Sequence, residues 1–262
     1  MSYQFIEYEV IESLAIIRLN RPDVLNSFNR TMAGELQEIL ANCAADSKIR
    51  AVYLTGNGRA FSAGQDLAEA APKDKEWPAI ADLVETSYNP IVRAIRELKK
   101  TVIAAVNGVA AGAGANIALS CDIVVAHERA SFLQAFCHIG LIPDSGGTFF
   151  LPRLVGLQRA TALTMLGEKI SAEQALDFGL IYKVFSEQEF ESESLKLANH
   201  LSTQATKGLG LIKQALNQSL NNDLNTQLEL EKKLQAEAAD SEDYVESVNA
   251  FLEKRKAKFR GK

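Results

Sequence analysis

Hydrophobic and polar positions along the chain alternate between the period of a strand and that of a helix. Phe5–Val10 alternates and Leu14–Leu19 is mostly apolar, so the short segment between them predicts a β-hairpin. Apolar residues at helical spacing predict an amphipathic helix over roughly 30–45. Further short apolar runs predict buried strands at 51–55, 101–106 and 122–126. This alternation predicts repeated ββα or βαβ units around a parallel sheet, which is an α/β fold.

Two segments between the predicted strands depart from this pattern. Residues 71–79 contain proline and lysine and predict a mobile loop. Residues 80–100 have helical periodicity but contain Pro90, which has no amide hydrogen to donate within a helix. We therefore expect the helix to break or kink at that residue.

Helical periods dominate the chain after residue 155. Ser171–Gln174 is a capping-box sequence that predicts a helix start, and Gly179 predicts the end of that helix. Residues 181–185 predict one more short strand. From about residue 188 nearly every segment is helical in pattern and free of proline. Because this helical tail lacks enough core of its own, we expect it to pack on a neighbouring chain or to fold back over the main domain.

Composition narrows the class of protein. The chain has 262 residues, 47% of them hydrophobic, which suits one large α/β domain with a helical extension. A net charge of −5 does not favour nucleic acid, whose phosphates attract clustered Lys and Arg. Three cysteines without paired or metal-type spacing indicate reduced thiols. No signal-peptide pattern or membrane-length apolar run is present, so we expect a cytoplasmic protein.

Candidate chemistry lies in glycine-containing stretches at 61–66, 111–116 and 138–148. Neither of the first two is a complete dinucleotide-binding fingerprint, and no P-loop Lys-Ser/Thr follows. Glycine at a helix start lets a ligand approach unpaired N–H groups, and two such donors can stabilise an enolate oxygen. The same glycines also fit a tight turn between a strand and a helix. The residues alone leave both interpretations open.

Asp144 is the acid of the third stretch, "HIGLIPDSGGT", between an apolar run and two glycines. It could cap the helix that follows, a common role for aspartate. It could instead transfer protons in a pocket made apolar by Phe136, Ile139, Leu141 and Ile142, which would raise its pKa and strengthen it as a base. The two roles are compatible.

Ordered motifs over nearly the whole chain resemble the crotonase family, the enoyl-CoA hydratase/isomerase superfamily. They include "LNRPDVLNSFN", "AVYLTGNGRAFSAGQDL", "VIAAVNGVAAGAGANIALSCDIVVA", "ASFLQAFCHIGLIPDSGGT" and "LPRLVGLQRATALTMLGEKISAEQALDFGLIYKVF". The resemblance implies a spiral core of repeated ββα units over residues 1–195 and a helical trimerisation region over residues 196–262. It also implies a homotrimer or a dimer of trimers, and an acyl-CoA thioester as substrate. No metal and no cofactor beyond the CoA of the substrate are implied.

The resemblance also assigns residues to the site. The backbone N–H groups of Gln65 and Ala113 are expected to hold the thioester oxygen, so the identity of their side chains should matter little. Asp144 is the expected catalytic base. Asp66 could equally cap a short helix, and Lys254 could equally lie on a solvated helix face. The residues expected to contact acyl-CoA are Leu25, Ala63, Asp66, Asn116, Phe136, Phe251 and Lys254.

The carboxylates of the family decide which reaction is expected. Asn116 and Phe136 occupy the places of the two hydratase glutamates, and neither can exchange a proton at neutral pH. A single carboxylate, Asp144, suffices for isomerisation. The segments "NSFN", "AGQDL", "NGVAAGAGA", "GLIPD" and "GLGLIKQA" resemble the bacterial subgroup that converts the ring 1,2-epoxide of phenylacetyl-CoA to an oxepin.

Isomerisation of Δ3- to Δ2-enoyl-CoA would use the same groups and is a plausible additional activity. Two further interpretations stay open: an enoyl-CoA hydratase that uses atypical residues, and a non-enzymatic binding protein like the crotonase relatives that bind RNA. The acidic balance and the confinement of clustered basic residues to the C-terminal "KRKAKFRGK" argue against RNA.

Overall fold

The computed structural model describes residues 3–70 and 79–262. The predicted loop at 71–79 falls almost entirely outside these ranges. Strands β1 (Ile6–Ile11) and β2 (Leu14–Leu19) pair antiparallel, which confirms the predicted hairpin.

A main sheet of six strands among the described residues forms the centre of the molecule. Its strand order is β1-β2-β3-β5-β7-β10, and every pair except β1 with β2 is parallel. A parallel strand covered on both faces reads as an unbroken apolar run, which is why the three predicted strands were recognisable. The added strands are β3 (Ala51–Gly56), β5 (Thr101–Val106), β7 (Ile123–His127) and β10 (Lys183–Phe185).

A smaller sheet lies beside the main one and repeats its order. Each of three long strands is followed by a three-residue strand that joins the order β4-β6-β8-β9. The chain thus repeats a long strand, a short strand and a helix or helical turn, which is the crotonase-like ββα spiral. Sequence periodicity misses the short strands because three residues are too few to show a period. They are β4 (Ala60–Ser62), β6 (Val109–Ala111), β8 (Ser131–Leu133) and β9 (Ile170–Ser171).

The helices cover the main sheet and form the C-terminal region. The helix predicted over 30–45 is confirmed, and the Asn29 side chain caps it by accepting from the Met32 N–H. The helices of the first half are α1 (Arg30–Ala45), α2 (Leu67–Ala70), α3 (Ile80–Leu83), α4 (Asn89–Glu97) and α5 (Ala113–Ser120). Those of the second half are α6 (Gly147–Val155), α7 (Leu157–Leu166), α8 (Ala172–Asp177), α9 (Phe190–Ser202), α10 (Thr206–Ser219), α11 (Leu224–Ala239) and α12 (Glu242–Leu252).

Pro90 does distort its helix, through a widened π-helical turn at Val84–Tyr88 that joins α3 to α4. The proline leaves the carbonyl of Thr86, four residues earlier, without an amide donor. The Gln37 side chain supplies the missing bond, donating from Nε2 to the Thr86 oxygen at 2.9 Å. A side chain of α1 therefore stabilises the interrupted helix from outside.

The sheet is buried on both faces, and strand alternation divides its side chains between two cores. On β2, Ile17 and Leu19 face the larger core with α1, α4 and α5, whereas Leu14 and Ile16 face the other side. That second core is covered by α9. Of the helices in the described ranges, none has the length and apolar composition required to cross a membrane.

The C-terminal tail corrects one expectation, since the helical pattern does not continue to the end. After α12 the chain is irregular and turns back. Its Arg260 and Gly261 N–H groups donate to the Asp243 carboxylate at 2.6 and 2.8 Å. The Arg50 side chain donates to the Phe259 carbonyl at 3.1 Å, which ties the tail to the beginning of β3.

A buried ionic cluster fixes α10 on the edge of the core. The Lys213 ammonium donates to the carbonyls of Ile95 and Lys100, at 2.6 and 3.2 Å, and to the Asp122 carboxylate at 2.8 Å. Arg96 also reaches Asp122, at 3.3 Å. The ammonium thus satisfies two buried carbonyl oxygens and one partly buried carboxylate.

We expect Lys213→Met to destabilise the fold by on the order of 3 kcal/mol, because it removes one partner of a buried ion pair and leaves the others unsatisfied. Urea unfolding followed by circular dichroism measures the loss. Lys196→Met is the matched control: that side chain is exposed, and Glu193 is its ion-pair partner among the described residues. Equal stability losses for the two variants would contradict this account of the cluster.

Candidate active site

Two backbone N–H groups, those of Gln65 and Ala113, come from segments that meet at Gly64, and the space beside them is the candidate cleft. The Gly64 carbonyl accepts from the Phe28 N–H at 2.7 Å, and the Asp66 N–H donates to the Phe28 carbonyl at 2.8 Å. Because a peptide unit is planar and trans, the Gln65 N–H points opposite to the Gly64 carbonyl and so away from Phe28. Ala113 is the first residue of α5, where N–H groups have no intrahelical acceptor. Neither N–H has a hydrogen-bond acceptor among residues 3–70 and 79–262.

Gly64 allows these two segments to touch. Its φ is +90°, in the region that favours glycine, and a Cβ added to it would lie 2.8 Å from the Ala111 oxygen and 3.3 Å from the Ala113 nitrogen. Any side chain at this position would therefore push the strand segment off the helix start. Gly114, the second residue of α5, also permits a close approach, because an added Cβ would lie 2.6 Å from the Ser62 oxygen.

Asp144 lies in the loop before α6, and its two polar ends have different partners. Its carbonyl accepts from the Asn116 side-chain amide at 2.9 Å and from the Gly147 N–H at 2.8 Å. Its carboxylate accepts from the Ser145 hydroxyl at 2.8 Å. Gly146 occupies the N-cap of α6, and no side chain caps that helix. The helix-capping alternative for Asp144 is therefore wrong, since its carboxylate stays free of the helix N–H groups.

Burial raises the pKa of Asp144 above the ordinary aspartate value, and the Ser145 hydroxyl partly offsets that shift. The direction agrees with the sequence prediction, but the predicted cause needs correction. Phe136 is buried, whereas Ile139, Leu141 and Ile142 are exposed and do not enclose the carboxylate. The apolar cover expected from those three side chains is absent from the described chain.

Asp144 and the Gln65 side chain both lie near Tyr88. The charge of Asp144 contributes to the raised pKa of Tyr88, after desolvation, which is the larger cause. The Tyr88 hydroxyl in turn donates to Oε1 of Gln65. The ring of Phe136 lies next to the start of α5: a Cβ added to Gly112, the residue before that helix, would be 3.8 Å from the ring. The structure thus places the backbone of Asp144 and the ring of Phe136 next to α5, and it joins Gln65 to Tyr88; the catalytic roles of these residues stay predictions.

The polar atoms of the Asn116 side chain are bonded to other groups of the protein. Its side chain is fully buried, donating to the Asp144 carbonyl and accepting from the Gln134 side-chain amide at 2.8 Å. Both polar atoms are thereby engaged within the protein, so the geometry does not favour the expected contact with acyl-CoA. Asn116 instead connects α5, which begins at Ala113, to the loop that carries Asp144. Where a hydratase has an acid, this chain has a structural tether.

Three residues expected to contact CoA, Leu25, Ala63 and Asp66, come from adjacent segments. Leu25, in a left-handed conformation with φ 53°, accepts the Ala63 N–H on its carbonyl at 2.9 Å. The Asp66 carboxylate pairs with Arg21 at 2.9 Å and accepts from the Ala68 N–H at 3.0 Å, so it caps α2. Contact of these residues with CoA stays a prediction.

Phe251 and Lys254 lie apart from this group. Phe251 is 81% exposed near the end of α12, and Lys254 is exposed just beyond it. In the part of the chain that the structure describes, no hydrogen bond links either residue to Gln65, Ala113 or Asp144. The single chain does not place them at the cleft, and their role toward CoA also stays a prediction.

Sequence reasoning missed the Gln65 side chain and Tyr88. The expectation that the identity of the Gln65 side chain matters little is not supported, because its amide bonds to three groups. Gln134 was also missed: it is buried, and its Oε1 has no partner among the described residues. The sequence held one signal for Tyr88, the nearby Pro90. A proline inside a helical pattern predicts an irregular turn, and π-helical turns often accompany functional sites.

The arrangement supplies the parts needed for proton transfer next to a carbonyl. Two N–H donors can hold an oxygen on which negative charge develops, and a carboxylate with a raised pKa can take up a proton. In the described ranges, no group of three or more His, Cys, Asp or Glu side chains is placed to hold a metal ion.

The raised pKa of Asp144 has a consequence for stability. The folded protein holds this proton more tightly than the unfolded chain does, so the contribution favours folding at low pH and is lost as the pH rises through the folded-state pKa. Asp144→Asn keeps the side chain neutral. We therefore expect a higher urea midpoint than wild type near pH 7, with a difference that shrinks toward about pH 4.

The exposed Asp177→Asn is the matched control and should leave the midpoint nearly unchanged at both pH values. An Asp144→Asn midpoint at or below that of wild type at neutral pH would contradict the desolvation of this carboxylate.

The comparisons with known proteins agree with the fold. The sequence matches the enoyl-CoA hydratase/isomerase family over residues 9–262. It is 49% identical over 261 residues to the 1,2-epoxyphenylacetyl-CoA isomerase of Escherichia coli strain K12, with 99% of each chain covered. It is 36% identical to the trans-2-decenoyl-(acyl-carrier-protein) isomerase of Streptococcus mutans, with 100% of each chain covered.

Solved structures give the same result. The crystal structure of an enoyl-CoA hydratase from Bacillus anthracis matches with a TM-score of 0.91 and 32% identity, covering 99% of this chain and 100% of that one. The ββα spiral and the full-length matches lead to one conclusion: this chain belongs to the enoyl-CoA hydratase/isomerase family, the crotonases.

Proposed function

We propose that this protein is an acyl-CoA isomerase in which Asp144 moves the proton and the N–H groups of Gln65 and Ala113 hold the thioester oxygen. The observation that carries the proposal is the Asp144 carboxylate. Burial raises its pKa, its loop is tied to α5 through Asn116, and Ser145 is its hydrogen-bond partner among the described residues. A carboxylate in this state is available as a base.

The mechanism needs one base and one oxyanion site. Ionised Asp144 takes a proton from a carbon activated by the thioester, and the electron pair moves onto the thioester oxygen. The two N–H donors stabilise the resulting enolate, each worth about 3–4 kcal/mol in comparable sites. Asp144 then returns the proton at a different carbon. Only a proton moves, so the scheme calls for no metal or redox cofactor, and CoA is part of the substrate.

For the substrate, we propose the ring 1,2-epoxide of phenylacetyl-CoA, isomerised to the seven-membered oxepin thioester. With this substrate the C–C bond shared by the epoxide and the six-membered ring also opens, and its electron pair joins the double bonds of the seven-membered ring, while Asp144 carries the proton from the carbon next to the thioester to a ring carbon. Support comes from the 49% identity, over 99% of both chains, to the Escherichia coli protein named for this substrate. Isomerisation of Δ3- to Δ2-enoyl-CoA would use the same base and the same oxyanion site, and we propose it as a second activity.

Hydration is the alternative, because a solved relative is named as an enoyl-CoA hydratase. Adding water across a double bond calls for one group that activates the water and one that handles the carbon-bound proton. Asn116 is tied into the protein by both polar atoms, and Phe136 has no proton to exchange. Isomerisation by Asp144 alone fits these residues better. A purely RNA-binding role is disfavoured by the net charge of −5.

The proposal includes assembly as a homotrimer or a dimer of trimers. The C-terminal helices leave large apolar side chains uncovered in the single chain: Leu216 is 64%, Leu220 is 65% and Leu224 is 73% exposed. Apolar exposure on this scale is typical of an interface between chains. Residues 196–262 would then form the oligomerisation region.

We expect Asp144→Asn to lower isomerase turnover by about 10²- to 10⁴-fold while acyl-CoA still binds, because the variant loses the base and keeps the oxyanion site. A panel of epoxide-derived, Δ3-enoyl and crotonyl thioesters, assayed with wild type, Asp144→Asn and Asp177→Asn, measures this. Hydration of crotonyl-CoA at undiminished rate by Asp144→Asn would favour the atypical hydratase instead.

We expect Gly64→Ala to lower turnover by about 100-fold or more, because its methyl group displaces the N–H donors that hold the oxygen. Gly34→Ala is the matched control: that helical glycine is exposed with open space around it, and alanine there should stabilise α1 by about 0.5–1 kcal/mol. Similar kinetics for the two variants would contradict the assignment of the oxyanion site.

A further inference from the structure

The side chain of Gln65 connects the oxyanion segment to the interrupted helix before α4. Its Nε2 donates to the carbonyls of Phe28 and Asp66, at 3.3 and 3.1 Å. Its Oε1 accepts the hydroxyl of Tyr88. Phe28 is the same residue whose backbone is paired on either side of Gln65. The amide of Gln65 therefore holds together three pieces of chain around its own N–H.

Tyr88 is well placed to act as a fixed donor. Its side chain is 2% exposed, and its ring meets the Phe28 ring edge-on with centroids 6.2 Å apart. It ends the π-helical turn caused by Pro90, which Gln37 supports. Burial raises the pKa of the Tyr88 phenol, so the group stays protonated and can only donate toward Oε1 of Gln65. Any other orientation of the hydroxyl would break this hydrogen bond.

We propose that Tyr88 is a positioning residue: its hydroxyl holds the Gln65 side chain, and through it the direction of the Gln65 backbone N–H that receives the thioester oxygen. This rests on the proposed function only in taking that N–H as an oxyanion donor. A rotation of the peptide that moved this N–H by a fraction of an ångström would misalign its hydrogen bond to the thioester oxygen. That bond must strengthen as negative charge develops on the oxygen. The side chain at position 65 thus has a role although the catalytic donor is backbone.

The alternative is that Tyr88 acts directly on the substrate or on Asp144, whose charge contributes to the raised pKa of the Tyr88 phenol. A double-mutant cycle separates the two. If Tyr88 acts through Gln65, removing its hydroxyl should add nothing once the Gln65 amide is gone. If Tyr88 acts directly, the two losses should add.

The experiment compares wild type, Tyr88→Phe, Gln65→Met and the double variant, with Tyr53→Phe as the matched control. Tyr53 is equally buried, and its hydroxyl bonds to the Ser194 hydroxyl at 2.9 Å in the second core, away from the cleft. Two readouts are taken: kcat and KM for the thioester that wild type isomerises, and the infrared carbonyl stretch of a bound saturated acyl-CoA labelled with ¹³C at the thioester carbon.

We expect Tyr88→Phe to lower kcat roughly 10- to 100-fold with little change in KM. The bound carbonyl stretch should move back toward its frequency in free acyl-CoA, and the double variant should be no slower than Gln65→Met. Tyr53→Phe should match wild type in both readouts. Additive losses in the cycle, or an unchanged carbonyl stretch in Tyr88→Phe, would overturn the proposal.

The infrared measurement also separates this inference from the proposed function. It uses a saturated ligand that cannot isomerise, so it reports on the N–H donors even if wild type proves inactive toward every thioester in the panel. In that case the isomerase proposal fails and the positioning role is still decided. A wild-type stretch equal to that of free acyl-CoA would overturn both. Should Tyr88→Phe fail to fold, Gln65→Met carries the test, and an unchanged stretch in that variant would contradict the role of the side chain.

Discussion

Backbone contact at Gly64, with no side chain in between, is the constraint on which the cleft depends. The segment after β4 and the first turn of α5 approach closely enough that a methyl group would not fit. Each contributes one N–H that has no acceptor in the described parts of the chain. The first segment is held in place by Phe28 and the second by the helix itself. Everything proposed for catalysis requires that these two donors keep this separation.

Asn116 extends the same frame to the base. It sits one turn into the helix that begins at Ala113, and it holds the carbonyl of Asp144 rather than the carboxylate. The backbone of the loop is thereby fixed while the acid itself remains free for chemistry. The glutamate expected at this place in a hydratase is thus replaced by an amide that supports a different acid.

Much of this was accessible from the sequence, and the reasons for the failures are physical. The long strands and α1 were predictable because apolar periodicity follows burial on one or both faces. The short strands carry too few residues for a period, and the tail after α12 is held by Asp243 and Arg50 rather than by its own pattern. Asp144 and the two N–H groups were found through motifs. The Gln65–Tyr88 bond joins residues far apart in sequence, and no local pattern encodes it.

The buried cluster around Lys213 also affects α5, at the end of that helix farthest from Ala113. Arg96, a member of that cluster, donates to the carbonyl of Ser120, the last residue of this helix, at 3.0 Å. A cation there compensates the partial negative pole of the helix, whose positive pole lies at Ala113. The helix is eight residues long, so its C-terminal end lies about 12 Å along the axis from its start at Ala113. The electric field felt by a bound thioester is therefore shaped in part by a side chain that no substrate could touch.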